Sequence, residues 1–330
     1  MASPRVRAFR SRAIYFVVAF FTAIGRRIPL RTGRLLGRGL GTFAYFVVGR
    51  QRKKALANLA IAFPDWSGSK RHKTIHAMFR HFGMSLFEIA WLPNLTPETR
   101  DRFTKFEGVD QMMQLIDEGR GFVIFTAHCG NWEWLSYTIG LWGRPLSVMQ
   151  RERDEHGLNR FITELRARSG AKTIDRGSAS SARDMIKAIR GGGMLAFVID
   201  QNIRSESVKV PFFGTPAPTV IGPARLAVRT GAMGITGVCE RLADGTLVSR
   251  FLEPFECAGG DPVEITARAT REVEEQIRKA PEQWPWFHDR WKERPQWDAG
   301  ATRSSDSLTS RERTRSATPR AGSDGSTRTP

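Results

Sequence analysis

The sequence predicts an α/β protein whose sheet is largely parallel, flanked by helices and preceded by a hydrophobic N-terminal helix. Three observations carry that expectation. From about residue 107, short apolar runs alternate with longer amphipathic ones over more than 120 residues, the signature of strand–helix repeats. Residues 50–106 read as helical without strand signals. The 12-residue apolar stretch Ala13–Ile24 stands between Arg5, Arg7, Arg10 and Arg12 on one side and Arg26-Arg27 on the other.

Ala13–Ile24 is short for a straight spanning helix, which needs about 20 residues. A membrane-dipping anchor with Arg stems reaching the headgroups fits it. A second apolar run, Phe43–Val48, leads into Arg50, Arg52, Lys53 and Lys54; an ordinary pair of core helices with basic ends is the competing reading of the two stretches. His72–Leu92 has apolar spacings of three and four, and Pro93 and Pro97 close it. Expected strands follow at Phe122–Ala127, Leu146–Met149, Leu195–Ile199, Ile235–Cys239 and Leu247–Leu252. Expected helices are Trp132–Leu141, Glu155–Ser169, Ser180–Arg190, Ile221–Thr230 and Asp261–Lys279. The segment 299–330 is rich in Ser, Thr, Arg and Gly and reads as disordered. The expected organisation is a membrane-associated segment over 1–49, an α/β domain over 50–298 and a tail over 299–330.

With 51 Lys+Arg against 33 Asp+Glu, the formal net charge is +18, which suits an anionic partner. A nucleic-acid-binding protein is the non-enzyme class this admits. The basic residues form no single stripe, and zinc-finger and RRM signatures are missing, so no nucleic-acid partner is expected. The three cysteines, Cys129, Cys239 and Cys257, are too few and scattered for a disulfide framework or a zinc site. No run of 18 apolar residues occurs, which excludes a polytopic membrane protein.

The most informative stretch is Phe122–Trp134, FVIFTAHCGNWEW. An apolar strand ends at His128, Gly130 permits a turn, and Asn131 is a good N-cap for a helix starting at Trp132. Glu133 then falls in the helix's first turn, where the dipole favours a carboxylate. A carboxylate beside an imidazole makes a general base for an alcohol, so His128 is the expected base and Glu133 its orienting partner. The C-terminal edge of a parallel sheet is where α/β folds keep their sites.

This string resembles the H-x4-[DE] block of the lysophospholipid acyltransferase superfamily, and through GNWE the late lipid A acyltransferases, the lauroyl and myristoyl transferases. Further segments are similar to that family: Asn58-Leu59 with Phe63-Pro64; Arg151 after the second strand, in Gln150-Arg151-Glu152-Arg153 rather than Tyr-Arg-Pro; Asp200-Gln201; Val210-Pro211-Phe212-Phe213-Gly214 with Thr219 and Gly222; and Pro281-Glu282-Gln283-Trp284 with Trp286, His288, Arg290, Trp291 and Lys292. Together they cover about residues 15–297.

The resemblance implies a glycerol-phosphate-acyltransferase-like fold. It also implies an O-acyltransferase moving an acyl chain from a thioester on acyl carrier protein or coenzyme A to a glycolipid hydroxyl. The acceptor it points to first is a lipid A precursor, with a phosphatidylinositol mannoside, a lysophospholipid or an aminolipid as alternatives. It places the enzyme on the cytoplasmic face of a bacterial inner membrane, with no cofactor and no metal. Asn131, Arg151, Asp200, Gln201, Phe212, Phe213 and Gly214 become expected substrate contacts. Oxyanion donors would be Arg151 or backbone N–H groups of the 132 helix. Asp200 holds either Arg151 or the acceptor sugar. Phe212-Phe213-Gly214 either walls an acyl pocket or plugs the space under a loop.

Other readings of the sequence compete with this one. A serine hydrolase would need a G-x-S-x-G elbow, which is missing. Cys129 adjoins His128, but sequence neighbours at a strand end point apart. Gly191-Gly192-Gly193 precedes a strand, so it reads as a turn and not a phosphate loop. His72, His76 and His81 lack partners at metal spacing and read as solvent-facing helix residues. The Trp-rich stretch Trp284, Trp286, Trp291 and Trp297 fits an interfacial belt or a packed clamp equally.

Overall fold

The protein is described here by a computed structural model covering residues 15–16, 18–151, 156–203 and 205–292. The tail over 299–330, Trp297 and most of the basic N-terminal stretch lie outside the described residues.

After helical residues 18–25 come three helices: α1 (Leu30–Val47), α2 (Gly49–Ala62) and α3 (Gly68–Trp91). A short helix, α4 (Arg100–Phe103), leads into β1 (Thr104–Glu107), α5 (Val109–Asp117) and β2 (Phe122–Gly130). Then follow α6 (Trp132–Gly140), β3 (Leu146–Arg151), α7 (His156–Ala167), β4 (Lys172–Arg176), α8 (Ser181–Arg190) and β5 (Met194–Val198). The hairpin β6 (Ser207–Phe212) and β7 (Thr215–Val220) precedes α9 (Gly222–Thr230), β8 (Met233–Arg241), β9 (Leu247–Phe251) and α10 (Pro262–Lys279).

The main sheet has seven strands in the order β1-β9-β8-β2-β5-β3-β4, all neighbours parallel except β8 with β9. The mixed, mostly parallel sheet expected from the sequence is therefore present. Four strands were not anticipated. β1 and β4 are short, with only one buried residue each (Thr104 and Ile174), so neither carries an apolar run. β6 and β7 contain Pro211, Pro216 and Pro218, which argue against a strand in sequence. As an isolated two-stranded ribbon, the hairpin has outer edges on which a missing N–H costs nothing.

Residues on β2 alternate between two apolar layers. Val123, Phe125 and Ala127 pack with α10, Trp284 and Trp286, while Phe122 and Ile124 pack with α5, α6 and α7. Burial on both faces gives β2 its near-continuous apolar run.

The packing of α1 is inverted relative to an ordinary amphipathic helix. Gly33, Gly37 and Gly41 are its buried face, and a Cβ at Gly37 or at Gly83 of α3 would collide with the other's carbonyl oxygen. The two backbones approach closely because both helices offer glycine at the crossing. The large side chains are left outside: Leu35, Leu36, Leu40, Phe43, Phe46 and Val47 are all exposed. Among the described residues no helix is long and apolar enough to cross a membrane, so the N-terminal helix is not shown as a spanning anchor.

Candidate active site

The polar groups that follow the strands collect at the C-terminal edge of the parallel part of the sheet. Ile124, Ala196 and Val148 stand in register on β2, β5 and β3, and Thr126 faces Val198. Two residues beyond Thr126 and Val198 stand His128 and Asp200. They meet: His128 Nδ1 lies 2.8 Å from Asp200 Oδ1, and the His128 backbone N–H donates to Asp200 Oδ2 at 2.9 Å. The Trp284 indole N–H donates to the same Oδ2 at 2.7 Å.

Asp200 is fully buried, its side chain 0% exposed, while that of His128 is 17% exposed. Burial pushes the Asp200 carboxyl up, but the His128 charge, its two hydrogen bonds and the Trp284 N–H outweigh it and hold the carboxyl below the usual range. An ionised Asp200 takes Nδ1–H as donor, so Nε2 carries the basic lone pair. Among the described residues no side chain caps Nε2. The Trp132 ring stands edge-on to the imidazole at 4.8 Å.

This differs from the sequence expectation for the orienting carboxylate. Glu133 is on α6 as expected, but both its oxygens are held by Arg166 of α7, at 2.6 and 3.0 Å. Arg166 also reaches Gln150 Oε1 at 3.2 Å. The bidentate geometry satisfies the carboxylate inside the protein, and the position next to the imidazole goes to Asp200. Spacing alone could not decide this, because Asp200 lies 72 residues from His128.

The other expected contacts divide. Asn131 is buried; its Oδ1 caps α6 by accepting the Trp134 N–H at 3.1 Å, and its Nδ2 donates to Glu88 at 2.8 Å. That makes it a structural cap and not a surface offered to substrate. Arg151 ends β3 in register with Arg176; its side chain lies outside the described part. Gln201 is half-buried beside Asp200. Phe212 and Phe213 are buried in the apolar core and Gly214 is exposed in the hairpin turn. Phe212 packs on Trp284 and Trp291, and Phe213 on Phe63 and Trp286. The segment plugs a core rather than lining open space.

A small apolar pocket, with room for about one water molecule, lies elsewhere, on the face of β2 that carries Ile124 and Thr126. Its lining includes Ile124 and Thr126 of β2, Ala196 and Val198 of β5, Val148 of β3 and Trp132 of α6, with Arg166 at one wall. From His128 down to Ile124 is four residues of strand, about 13 Å.

Several residues were missed or misread from sequence. Trp284 and Trp286 are fully buried, so the tryptophans before 292 form a clamp and not an interfacial belt. Asn58 holds that clamp, donating to the carbonyls of Trp286 and His288 at 2.6 Å each. His288 Nε2 accepts the Asn202 backbone N–H at 3.0 Å. His81 is not a solvent-facing residue: it is 3% exposed and bonded to Arg241 and to the Gly130 carbonyl. Cys129 is buried and burial pushes its thiol far up, the opposite of what a thiolate nucleophile needs. Among the described residues no group of His, Cys, Asp and Glu has the arrangement of a metal site.

The sequence profile described as "Bacterial lipid A biosynthesis acyltransferase" matches residues 2–293. The chain belongs to this family. It is 30% identical over 275 residues to the lipid A biosynthesis palmitoleoyltransferase of Escherichia coli K12, covering 82% of this chain and 88% of that protein. It is 31% identical over 268 residues to the lauroyltransferase of the same organism, covering 79% and 85%. A phosphatidylinositol mannoside acyltransferase of Mycobacterium tuberculosis matches at 26% over 191 residues, 56% of this chain and 58% of that one. The protein is thus an acyltransferase of the lipid A biosynthesis type. Asn58 and Phe63 brace the tryptophan clamp, and its Trp284 holds Asp200.

Proposed function

We propose that the protein transfers a fatty acyl chain from an acyl thioester, carried by acyl carrier protein, to a hydroxyl of a lipid A precursor at a membrane surface. The observation that carries the reading is the His128–Asp200 pair at 2.8 Å, at the C-terminal edge of the parallel part of the sheet. His128 Nε2 takes the acceptor hydroxyl proton as the oxygen attacks the thioester carbonyl. The Nδ1–H bond to ionised Asp200 fixes the tautomer and stabilises the imidazolium. The first backbone N–H groups of α6 stabilise the tetrahedral oxyanion. Collapse breaks the C–S bond, and the imidazolium returns the proton to the departing sulfur, leaving an ester and a thiol. The donor chain is assigned to the side of β2 that carries Ile124, Thr126 and Trp132, where a space now about one water molecule in size must widen to admit it, in place of Phe212 and Phe213. Glu133 serves by holding Arg166 at the pocket wall. Arg151 and Gln201, on neighbouring strand ends, are assigned to the acceptor headgroup.

The outward apolar side chains of α1, together with exposed Phe16, Phe20 and Phe21, form the face that lies in the lipid interface. Exposed Arg31, Arg38, Arg50 and Lys53 rim it and suit anionic headgroups. This makes the N-terminal region an interfacial anchor on the cytoplasmic face of the inner membrane.

The mycobacterial relatives keep a second acceptor in view, a phosphatidylinositol mannoside. Mass spectrometry of host glycolipids with and without the chain decides between them. Loss of one acyl group from lipid A supports the reading, and an unchanged lipid A with an altered mannoside overturns the acceptor assignment.

A further inference from the structure

Behind the turn that carries His128 lies a buried ionic cluster that neither the base nor the pocket uses. Glu88 of α3 is 0% exposed. Its Oε1 accepts from Arg34 Nε at 2.7 Å and Arg241 Nε at 2.8 Å. Its Oε2 accepts from Arg241 Nη2 at 2.5 Å and Asn131 Nδ2 at 2.8 Å. Four donors fill a carboxylate's acceptor sites. Arg241 Nη1 also donates to His81 Nδ1 at 2.6 Å, and its Nη2 to Ser85 Oγ at 2.9 Å. A His81 that accepts at Nδ1 carries its proton on Nε2, which lies 3.2 Å from the Gly130 carbonyl.

The cluster closes on two consecutive residues of the catalytic turn. Through His81 it holds the Gly130 carbonyl, and through Glu88 it holds the Asn131 side chain. Gly130 has φ +67° and its Cα faces the Cys239 carbonyl with no room for a Cβ. Asn131 donates its own N–H to that same carbonyl at 3.0 Å. The chain leaving His128 is therefore pinned on one side by β8 and on the other by α3. Arg34 extends the connection to α1, the helix with the outward apolar face.

We propose that Glu88, with Arg241 and His81, is a positioning residue that fixes the His128–Asn131 turn and so aims the His128 imidazole; the inference rests on the acyl-transfer reading for its effect on rate. A salt bridge serving only the fold could sit anywhere in the core. This one ends on the two residues that connect the base to the first turn of α6. A misplacement of about 1 Å at a reacting group can cost ~10²-fold in rate.

The test uses the full chain in detergent with two substitutions. Asn131→Ser keeps a side-chain oxygen able to cap Trp134 N–H but is too short to reach Glu88. Glu88→Gln keeps the shape and removes the charge. The readouts are kcat and KM for donor and acceptor, the thermal midpoint, and the NMR signal of the His128 Nδ1–H proton, assigned by its loss in His128→Ala. The expected result for Asn131→Ser is roughly tenfold lower kcat, both KM values within about twofold, a near wild-type midpoint, and a shifted or exchange-broadened His128 signal. Glu88→Gln should do the same where it folds, and Asn131→Ser carries the test where it does not. An unmoved His128 signal overturns the proposal even if turnover falls, and wild-type turnover in a folded Asn131→Ser protein overturns it as well. If the wild-type chain transfers no acyl group to any glycolipid, the acyl-transfer reading fails, and the His128 signal alone then decides whether the cluster positions the turn.

Discussion

Replacing the two acidic residues around His128 one at a time separates their roles. Asp200→Asn keeps the volume but removes the charge and one of two acceptor oxygens. Three N–H groups converge on Asp200: His128 Nδ1–H, His128 N–H and Trp284 Nε1–H. One amide oxygen can serve Oδ2's two donors, but the amide nitrogen then faces Nδ1 and needs an acceptor there. The imidazole is driven to the Nε2–H tautomer, whose Nε2 cannot accept the hydroxyl proton. Loss of the orienting carboxylate in such a pair costs up to ~10⁴ in turnover, so kcat should fall ~10²–10⁴-fold, or about 3–5 kcal/mol of barrier. KM should hardly change. Glu133→Gln acts differently. It leaves Arg166, whose side chain is 8% exposed, without its counter-charge, and breaking a buried pair destabilises by ~3–5 kcal/mol. Its main effect is a lower thermal midpoint, with turnover of the folded fraction falling much less. The assay is single-turnover transfer from acyl carrier protein to a detergent-dispersed lipid A precursor, alongside thermal unfolding. If Glu133→Gln folded normally and lost turnover as completely as His128→Ala, while Asp200→Asn stayed active, the pairing of His128 with Asp200 would not be the catalytic one.

Three further outcomes follow from the same geometry. Phe43→Glu with Phe46→Glu removes two exposed rings from α1, each worth ~1.5–3 kcal/mol on burial in lipid; binding to anionic vesicles should drop by ~10²-fold or more in a flotation assay, with turnover on detergent-dispersed substrate kept. Cys129→Ser should retain turnover in that assay, because the buried thiol forms no acyl-enzyme; an acyl group trapped on wild-type Cys129 in intact-mass spectra would refute this. Burial and the Arg241 charge hold His81 down to about 3; burial pushes Glu88 up, but Arg241, Arg34 and Asn131 outweigh it and hold the carboxyl down to about 2. Both groups bind more protons unfolded than folded, His81 below about 6.5 and Glu88 below about 4.5, so stability falls as pH drops from 6.5 toward 2. The loss should reach a few kcal/mol in a thermal-midpoint series, and His81→Gln should flatten its upper part, between pH 6.5 and 4.

The strands and helices that carry chemistry were legible because each has a strong local pattern. β2 and β5 are apolar runs and α6 begins at a recognisable cap, so His128 could be placed at a strand end from residue order alone. What sequence could not supply was the pairing across the sheet. The His128–Asp200 contact depends on the parallel register that sets Thr126 beside Val198, a long-range fact without a local signature. Glu133 had the better local argument, proximity and a helix dipole, and was overruled by an arginine 33 residues away. His81 was misread for a related reason. It sits on a helix rich in charged residues, and only the approach of β8 through Arg241 reveals that its face is buried. The tryptophans near 284 left belt and clamp equally open, since burial cannot be read from composition.

The inversion of α1 connects the membrane reading to the site. Ordinarily the large apolar residues of a helix face the core and the small ones are distributed without consequence. Here glycines at 33, 37 and 41 let α1 seat directly on the α3 backbone, and six large apolar side chains are turned outward as a result. Exposed apolar area of that extent is unfavourable in water and rare on soluble monomers, so its retention needs a lipid or protein cover. The rim of arginine and lysine favours an anionic lipid surface over a second apolar protein face. The helix beneath, α3, carries on its other side Glu88 and His81, the residues that hold the turn after His128, and Phe82, whose ring lies 6.3 Å from Trp132. On the proposed reading, one helix supports the lipid-facing surface and the turn after His128 together, the arrangement expected of an enzyme whose acceptor remains in the membrane while only its headgroup enters the site.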